Sequence, residues 1–115
     1  MSSSKIVEKL RKKAVQNFMD ILILTEIKNM PLSGYDVIGL IHRRFGLLVS
    51  SGTVYSLLYS LERDGLVEGT WNQRKRIYRL TDKGKLNIKL ITKANVEIQN
   101  FLKNITLLNA TNNQS

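Results

Sequence analysis

The chain has 115 residues and no cysteine. That removes disulfide staples, thiolate metal sites and thiol catalysis together. A single histidine, His42, leaves no imidazole cluster for a metal and no base beside a nucleophile, and it reads as a surface residue. Acidic residues are scarce, nine Asp and Glu against 18 Lys and Arg. Asp20, Glu26, Asp36 and Glu62 fall on different segments and read as caps or solvated charges, so no carboxylate pair is available for acid–base work. No enzyme, cofactor or metal is expected. Long apolar runs are missing too. The longest, ILIL at 21–24, is far short of the roughly 20 residues that cross a bilayer. Met1 to Ser4 are polar, unlike a secretory leader. The expected setting is cytoplasmic, with no membrane partner.

What is abundant is positive charge: +9 at pH 7, with a pI near 10.0. A chain this basic calls for an anionic partner, first of all nucleic acid.

Proline and glycine are rare enough to serve as punctuation. From Lys5 to Lys28 there is neither, and the spacing predicts one long helix, basic in its first third and apolar nearly all round in its last. Phe18, Ile21, Leu22, Ile23, Leu24 and Ile27 cannot all face one core, so a second surface is expected to meet another subunit. The only proline, Pro31, marks a break. Ser33 then caps a second helix, with Asp36 three residues on as a variant capping box. Val37, Ile38, Ile41 and Phe45 form its apolar face, Gly46 closes it, and Arg43 and Arg44 in the last turn suit the helix dipole. Leu47 to Val49 is an apolar connector with the look of a short strand.

A third helix starts at the cap Ser50 and stops at Gly65. Val54, Leu57, Leu58 and Leu61 stand at i, i+3, i+4 and i+7 and form a buried stripe. At about 100° per residue the opposite face carries Gly52, Tyr55, Ser56, Tyr59 and Arg63. An ordinary wet face would carry Lys and Glu. After Gly65 the period changes: LVEGTW and RIYRLT are β-prone and flank Asn72–Gln73–Arg74–Lys75, a hairpin with a basic tip. Thr81 caps a last helix. From Ile91 its apolar residues alternate by three and four, as Ile91, Ala94, Ile98, Phe101, Ile105 and Leu108, nearly three heptads. The last seven residues lack a pattern and are expected to fray.

Three helices, a hairpin and a helix are the order of a winged helix-turn-helix: a mainly α fold with a small β-hairpin. The expected organisation is a DNA-binding domain over 5–82, a dimerisation helix over 82–108 and a flexible tail over 109–115. In this arrangement the third helix enters the major groove of double-stranded DNA and the wing stands beside it. The candidate contacts are Ser50, Ser51, Gly52, Thr53, Tyr55, Ser56, Tyr59 and Arg63 on the third helix, and Arg74, Lys75 and Arg76 on the wing. Ser33, Gly34 and Tyr35 at the start of the second helix complete the set. The alternative for Tyr55 and Tyr59 is packing on the wing or the first helix. Residues 63–85 carry seven basic and three acidic groups, and residues 1–13 five and one. The candidate homodimer seam is Phe18, Ile21, Ile91, Ala94, Ile98, Phe101, Leu102, Ile105 and Leu108, with packing inside one chain as its alternative.

PLSGYDVIGLI, GTVYSLLYSLERDGLVE and RIYRLTDKGK, in that order, resemble the PadR family of transcriptional regulators over residues 20 to 85. The resemblance implies a dimeric repressor that reads an inverted-repeat operator through residues 51–63 and the wing. It also implies dimerisation through the C-terminal helix, and no separate effector domain. Tyr59 departs from the family, standing where a basic residue is common, and the wing tip is short. Some members bind aromatic ligands between subunits; a small-molecule effector is left open here but not indicated, and Trp71, the only tryptophan, reads as wing packing, with an effector pocket as its alternative. Two other functions fit the composition: a winged helix used for protein contacts, and a non-specific DNA binder.

Overall fold

The computed structural model describes the backbone of residues 3–114 and the side chains of 4–105. The helices are α1 (Ser3–Asn17), α2 (Met19–Asn29), α3 (Gly34–Phe45), α4 (Ser51–Arg63) and α5 (Asp82–Gln114), and the strands are β1 (Leu32–Ser33), β2 (Val67–Asn72) and β3 (Lys75–Leu80).

The long N-terminal helix is divided. Phe18 takes φ −114°, ψ 23°, outside the helical basin, yet its N–H still donates to the Ala14 carbonyl and its carbonyl accepts from Leu22. The Asp20 carboxylate accepts from the Ile21 N–H at 2.8 Å, a local bond of the kind that competes with helix continuation. The break turns Met19, Ile23, Leu24 and Ile27 into the core and leaves Phe18 exposed.

The capping box at α3 is complete. The Asp36 N–H donates to Ser33 Oγ (3.1 Å) and the Ser33 N–H to Asp36 Oδ2 (3.0 Å). Gly46, at φ +65°, ends α3 in the left-handed region that favours glycine. The segment 47–49 forms no strand, contrary to its composition. Leu47 and Val49 pack against the core without a ladder partner. The extra strand lies instead at Leu32–Ser33, which pairs with Tyr78 and Ile77 of β3. The expected hairpin is therefore a three-stranded antiparallel sheet, ordered β1-β3-β2. Its turn is tighter than expected. Asn72 pairs with Lys75, so only Gln73 and Arg74 connect the strands.

At the base of the wing, the Thr81 hydroxyl donates to the Gly65 carbonyl (2.6 Å) and accepts from the Gly84 N–H (3.0 Å), capping α5. Gly84 has a distinct reason to be glycine: a Cβ there would stand 2.0 Å from the Leu66 carbonyl oxygen. Beyond Gly84 the chain has neither glycine nor proline, and the helical backbone continues to Gln114, through the residues expected to fray.

The buried hydrophobic residues run from Met19 to Ile88, with Ile41, Val54 and Leu58 fully covered. The predicted α4 stripe is there: Val54, Leu58 and Leu61 are buried and Leu57 packs against them. On α5, Ile91 and Ala94 are half-buried, whereas Ile98, Phe101, Leu102 and Ile105 are exposed. Ile21 is half-buried. The side chain of Leu108 lies outside the described residues.

Candidate nucleic-acid interface

The outward face of α4 and the wing meet in a cleft of about 200 Å³, lined by Ser33, Tyr35, Tyr55, Tyr59, Trp71, Arg74, Lys75, Arg76 and Tyr78. At the N-terminus of α4, Ser50 Oγ accepts from the Thr53 N–H at 3.1 Å and bonds the Thr53 hydroxyl at 2.8 Å. Ser51, Gly52, Ser56, Tyr59 and Arg63 are exposed, and nothing lies within 4 Å of the position a Cβ would take at Gly52. A surface can thus approach the backbone of this first turn closely, where the dipole and free N–H groups suit a phosphate.

The second-helix candidates divide. Ser33 is buried, its hydroxyl is committed to capping, and Gly34 is buried beneath the Tyr55 ring. Both therefore present little surface, and Ser33 sits at the lining of the cleft. A Cβ at Gly34 would lie 2.4 Å from Tyr55 Cε1, so Tyr55 packs over the start of α3 while its outer part stays open. Tyr35 is fully available at 74 % exposure.

The three wing cations differ as well. Arg74 is exposed at the turn. Lys75, half-exposed, reaches Asp36 Oδ1 at 3.4 Å. The Asp36 carboxyl is held below its ordinary value, chiefly by the Ser33 backbone N–H, with the Ser33 hydroxyl and Lys75 helping and burial opposing. Arg76 is turned inward. Its NH2 donates to Glu62 Oε2 at 2.8 Å, and its guanidinium lies 5.6 Å from the Trp71 ring centre and 5.8 Å from that of Tyr78. Desolvation lowers the Arg76 pKa, but the hydrogen bond and charge of Glu62 outweigh it and the net shift is upward. Burial pushes the Tyr78 phenol up, against the opposing influence of Arg76.

Two acidic residues that read as caps or solvated charges are engaged in long-range pairs. Glu26 is buried and bound by Arg44, and Glu62 also accepts the Gly69 N–H at 2.9 Å. Neither pair leaves a signal in local spacing, since the partners stand 18 and 14 residues apart. Trp71, 68 % exposed, is a face of the cleft rather than packed away. Among the described residues no group of His, Cys, Asp or Glu could hold a metal ion, and no helix is long and apolar enough to cross a membrane.

The profile of the transcriptional regulator PadR-like family matches residues 23–90, from the middle of α2 into α5. The chain belongs to that family. Among solved structures, it is similar to a PadR-like transcriptional regulator from Bacillus cereus (21% identity, 82% of this chain and 96% of the other, TM-score 0.70). It is also similar to a PadR-family regulator from Eggerthella lenta (20%, 91% and 93%, TM-score 0.71). Bacillus subtilis PadR, solved in complex with operator DNA, is 26% identical over 62% of this chain and 44% of the other, at a TM-score of 0.53. Among curated proteins, none matches the sequence. The fold is that of the PadR winged-helix regulators, and transcriptional regulation is the family's work.

Proposed function

We propose that this PadR-like protein is a sequence-specific DNA-binding regulator, a homodimer that represses by occupying an inverted-repeat operator. The observation that carries the reading is the face of α4. It offers hydroxyls at Ser51, Thr53, Ser56 and Tyr59 over an unobstructed helix N-terminus, with Arg63 and Arg74 exposed beside it. Long Lys and Glu chains, which would fend off a groove, are absent from that face. Hydroxyls and the helix N-terminus hold phosphates, and Tyr35, Tyr59 and Ser56 reach base edges.

The dimer is supported by Ile98, Phe101, Leu102 and Ile105, large apolar side chains left exposed along one helix, and by Phe18 at the α1–α2 break. Two-fold pairing would cover them and double the DNA contacts. With about four phosphates neutralised per subunit, affinity falls with a log–log salt slope near −7, at about −0.9 per contact.

The test is selection of random-sequence duplexes on the purified protein at two salt concentrations. An inverted repeat that survives the higher salt is expected. Enrichment without a motif, vanishing with salt, would replace this reading with non-specific binding. No salt-sensitive DNA binding at all would point to a protein-interaction module.

A further inference from the structure

A carboxylate near the end of a recognition helix is doubly misplaced. It faces the negative pole of its own helix dipole, and it stands close to where a phosphate backbone would run. Glu62 occupies that position in the last turn of α4. Yet its Oε2 holds two donors from the wing at once: the Gly69 N–H of β2 at 2.9 Å and the Arg76 guanidinium of β3 at 2.8 Å. These are the side-chain hydrogen bonds that join α4 to both strands of the wing. Arg76 reaches Glu62 by crossing over Gly69, where a Cβ would lie 2.5 Å from the Arg76 Nε, and its plane rests against Trp71 and Tyr78. Gly69, Arg76, Trp71 and Glu62 thus form one connected device. The β2–β3 ladder holds the wing together without it, and the core beneath is apolar.

We propose that Glu62 is a positioning residue for DNA recognition. Through Arg76 and the Gly69 N–H it locks the wing to the recognition helix, so that Arg74 and the α4 hydroxyls present one preformed surface. Arg76 serves this lock and is not a phosphate contact. The role in recognition rests on the DNA-binding reading, whereas the lock itself does not.

The two parts are tested separately on the full-length protein. Trp71, the only tryptophan, reports the lock without DNA. Glu62→Gln keeps an acceptor oxygen but removes the negative charge that holds Arg76, and Gly69→Ala displaces Arg76 sterically with no change of charge. Both variants should melt within a few degrees of the parent, and both should shift Trp71 emission and raise its quenching by acrylamide. Unchanged Trp71 fluorescence in both would overturn the lock.

Affinity is then measured on the best duplex from the selection above. Removing a negative charge near DNA should by itself tighten binding. The lock requires the reverse: Glu62→Gln and Gly69→Ala should each weaken binding about ten-fold, the scale of one charge-assisted hydrogen bond. Equal or tighter binding by Glu62→Gln, with Trp71 altered, would overturn the recognition role and leave a merely structural pair. If the parent selects no duplex, the DNA-binding reading fails and the recognition role falls with it, while the Trp71 result still decides the lock.

Discussion

The segment between Met19 and Ile88 buries its apolar residues within the chain, whereas most of the large apolar residues described on α1, and on α5 beyond Ile91, stay exposed. In the first region every buried hydrophobic residue of the core is matched by others from α2, α3, α4, the sheet or the start of α5. In the second, Ile6, Val7 and Leu10 on α1 and Val96, Ile98, Phe101, Leu102 and Ile105 on α5 lie open. The helix α5 spans 33 residues, about 50 Å at 1.5 Å per residue, and among its described residues the one in the core is Ile88, near its start. The contrast separates two sources of order. The winged helix is held by its own packing, whereas the exposed apolar residues described on α5 are the ones the proposed dimer would cover, helix propensity alone being marginal in water.

The largest effect should come from the core. Leu58 is fully buried, and Leu58→Ala should cost about 2–5 kcal/mol. Urea unfolding should place that loss in the winged helix, independent of protein concentration. A cost under about 1 kcal/mol would mean that α4 is not seated as described. Next comes the open helix. Ile98→Asp puts a charge into the proposed seam, and sedimentation equilibrium should find association weakened about a hundredfold, the consequence of an unpaired charge in an apolar interface. This change should leave the winged-helix core intact at high dilution. Association unchanged in Ile98→Asp would erase the contrast between the regions.

Smaller effects test the DNA face. Arg74→Ala with Lys75→Ala removes two cations per subunit and should flatten the salt slope from near −7 to roughly −4, weakening all duplexes alike. A slope unchanged by this pair would move the phosphate contacts away from the wing tip. Asp36→Ala should cost about 0.5–1 kcal/mol at neutral pH, the scale of a helix cap. The native Asp36 carboxyl is held below its ordinary value, so its contribution is fully present above the ordinary value and is lost as pH falls through the lowered native one. The gap between parent and variant should therefore close on acidification. A gap that widened would give the shift the opposite sign.

These tests also follow the line between what was legible in the sequence and what was not. Ser33, Ser50 and Thr81 were readable as caps, and Gly46 and Gly65 as stops, because capping is decided within a few residues. The Val54–Leu61 stripe was readable from its period. The break at Phe18 was not, since helix formers surround it and the core decides which side Met19 faces. The strand at Leu32–Ser33 was hidden because only its pairing with β3 makes it one. At the candidate site, composition marked the α4 face but could not separate exposed Arg74 from Arg76, two residues away and turned inward to Glu62. That distinction is tertiary.

The smallest effect concerns the turn of the wing. Gln73 holds φ +58°, in the left-handed region that favours glycine, while Arg74 beside it has no positive φ. That is the sign pattern of a II′ hairpin turn, whose first position glycine prefers. A non-glycine residue there carries about 1–2 kcal/mol of strain, and glycine's greater freedom in the unfolded chain offsets roughly half. Gln73→Gly should therefore stabilise the winged helix by about 0.5 kcal/mol and raise its melting point by about 2–4 °C. The gain should be equal at low and high protein concentration, because the turn belongs to the region that is complete within one chain. A gain that grew with concentration would tie the wing to the association of subunits and blur the division between the two regions.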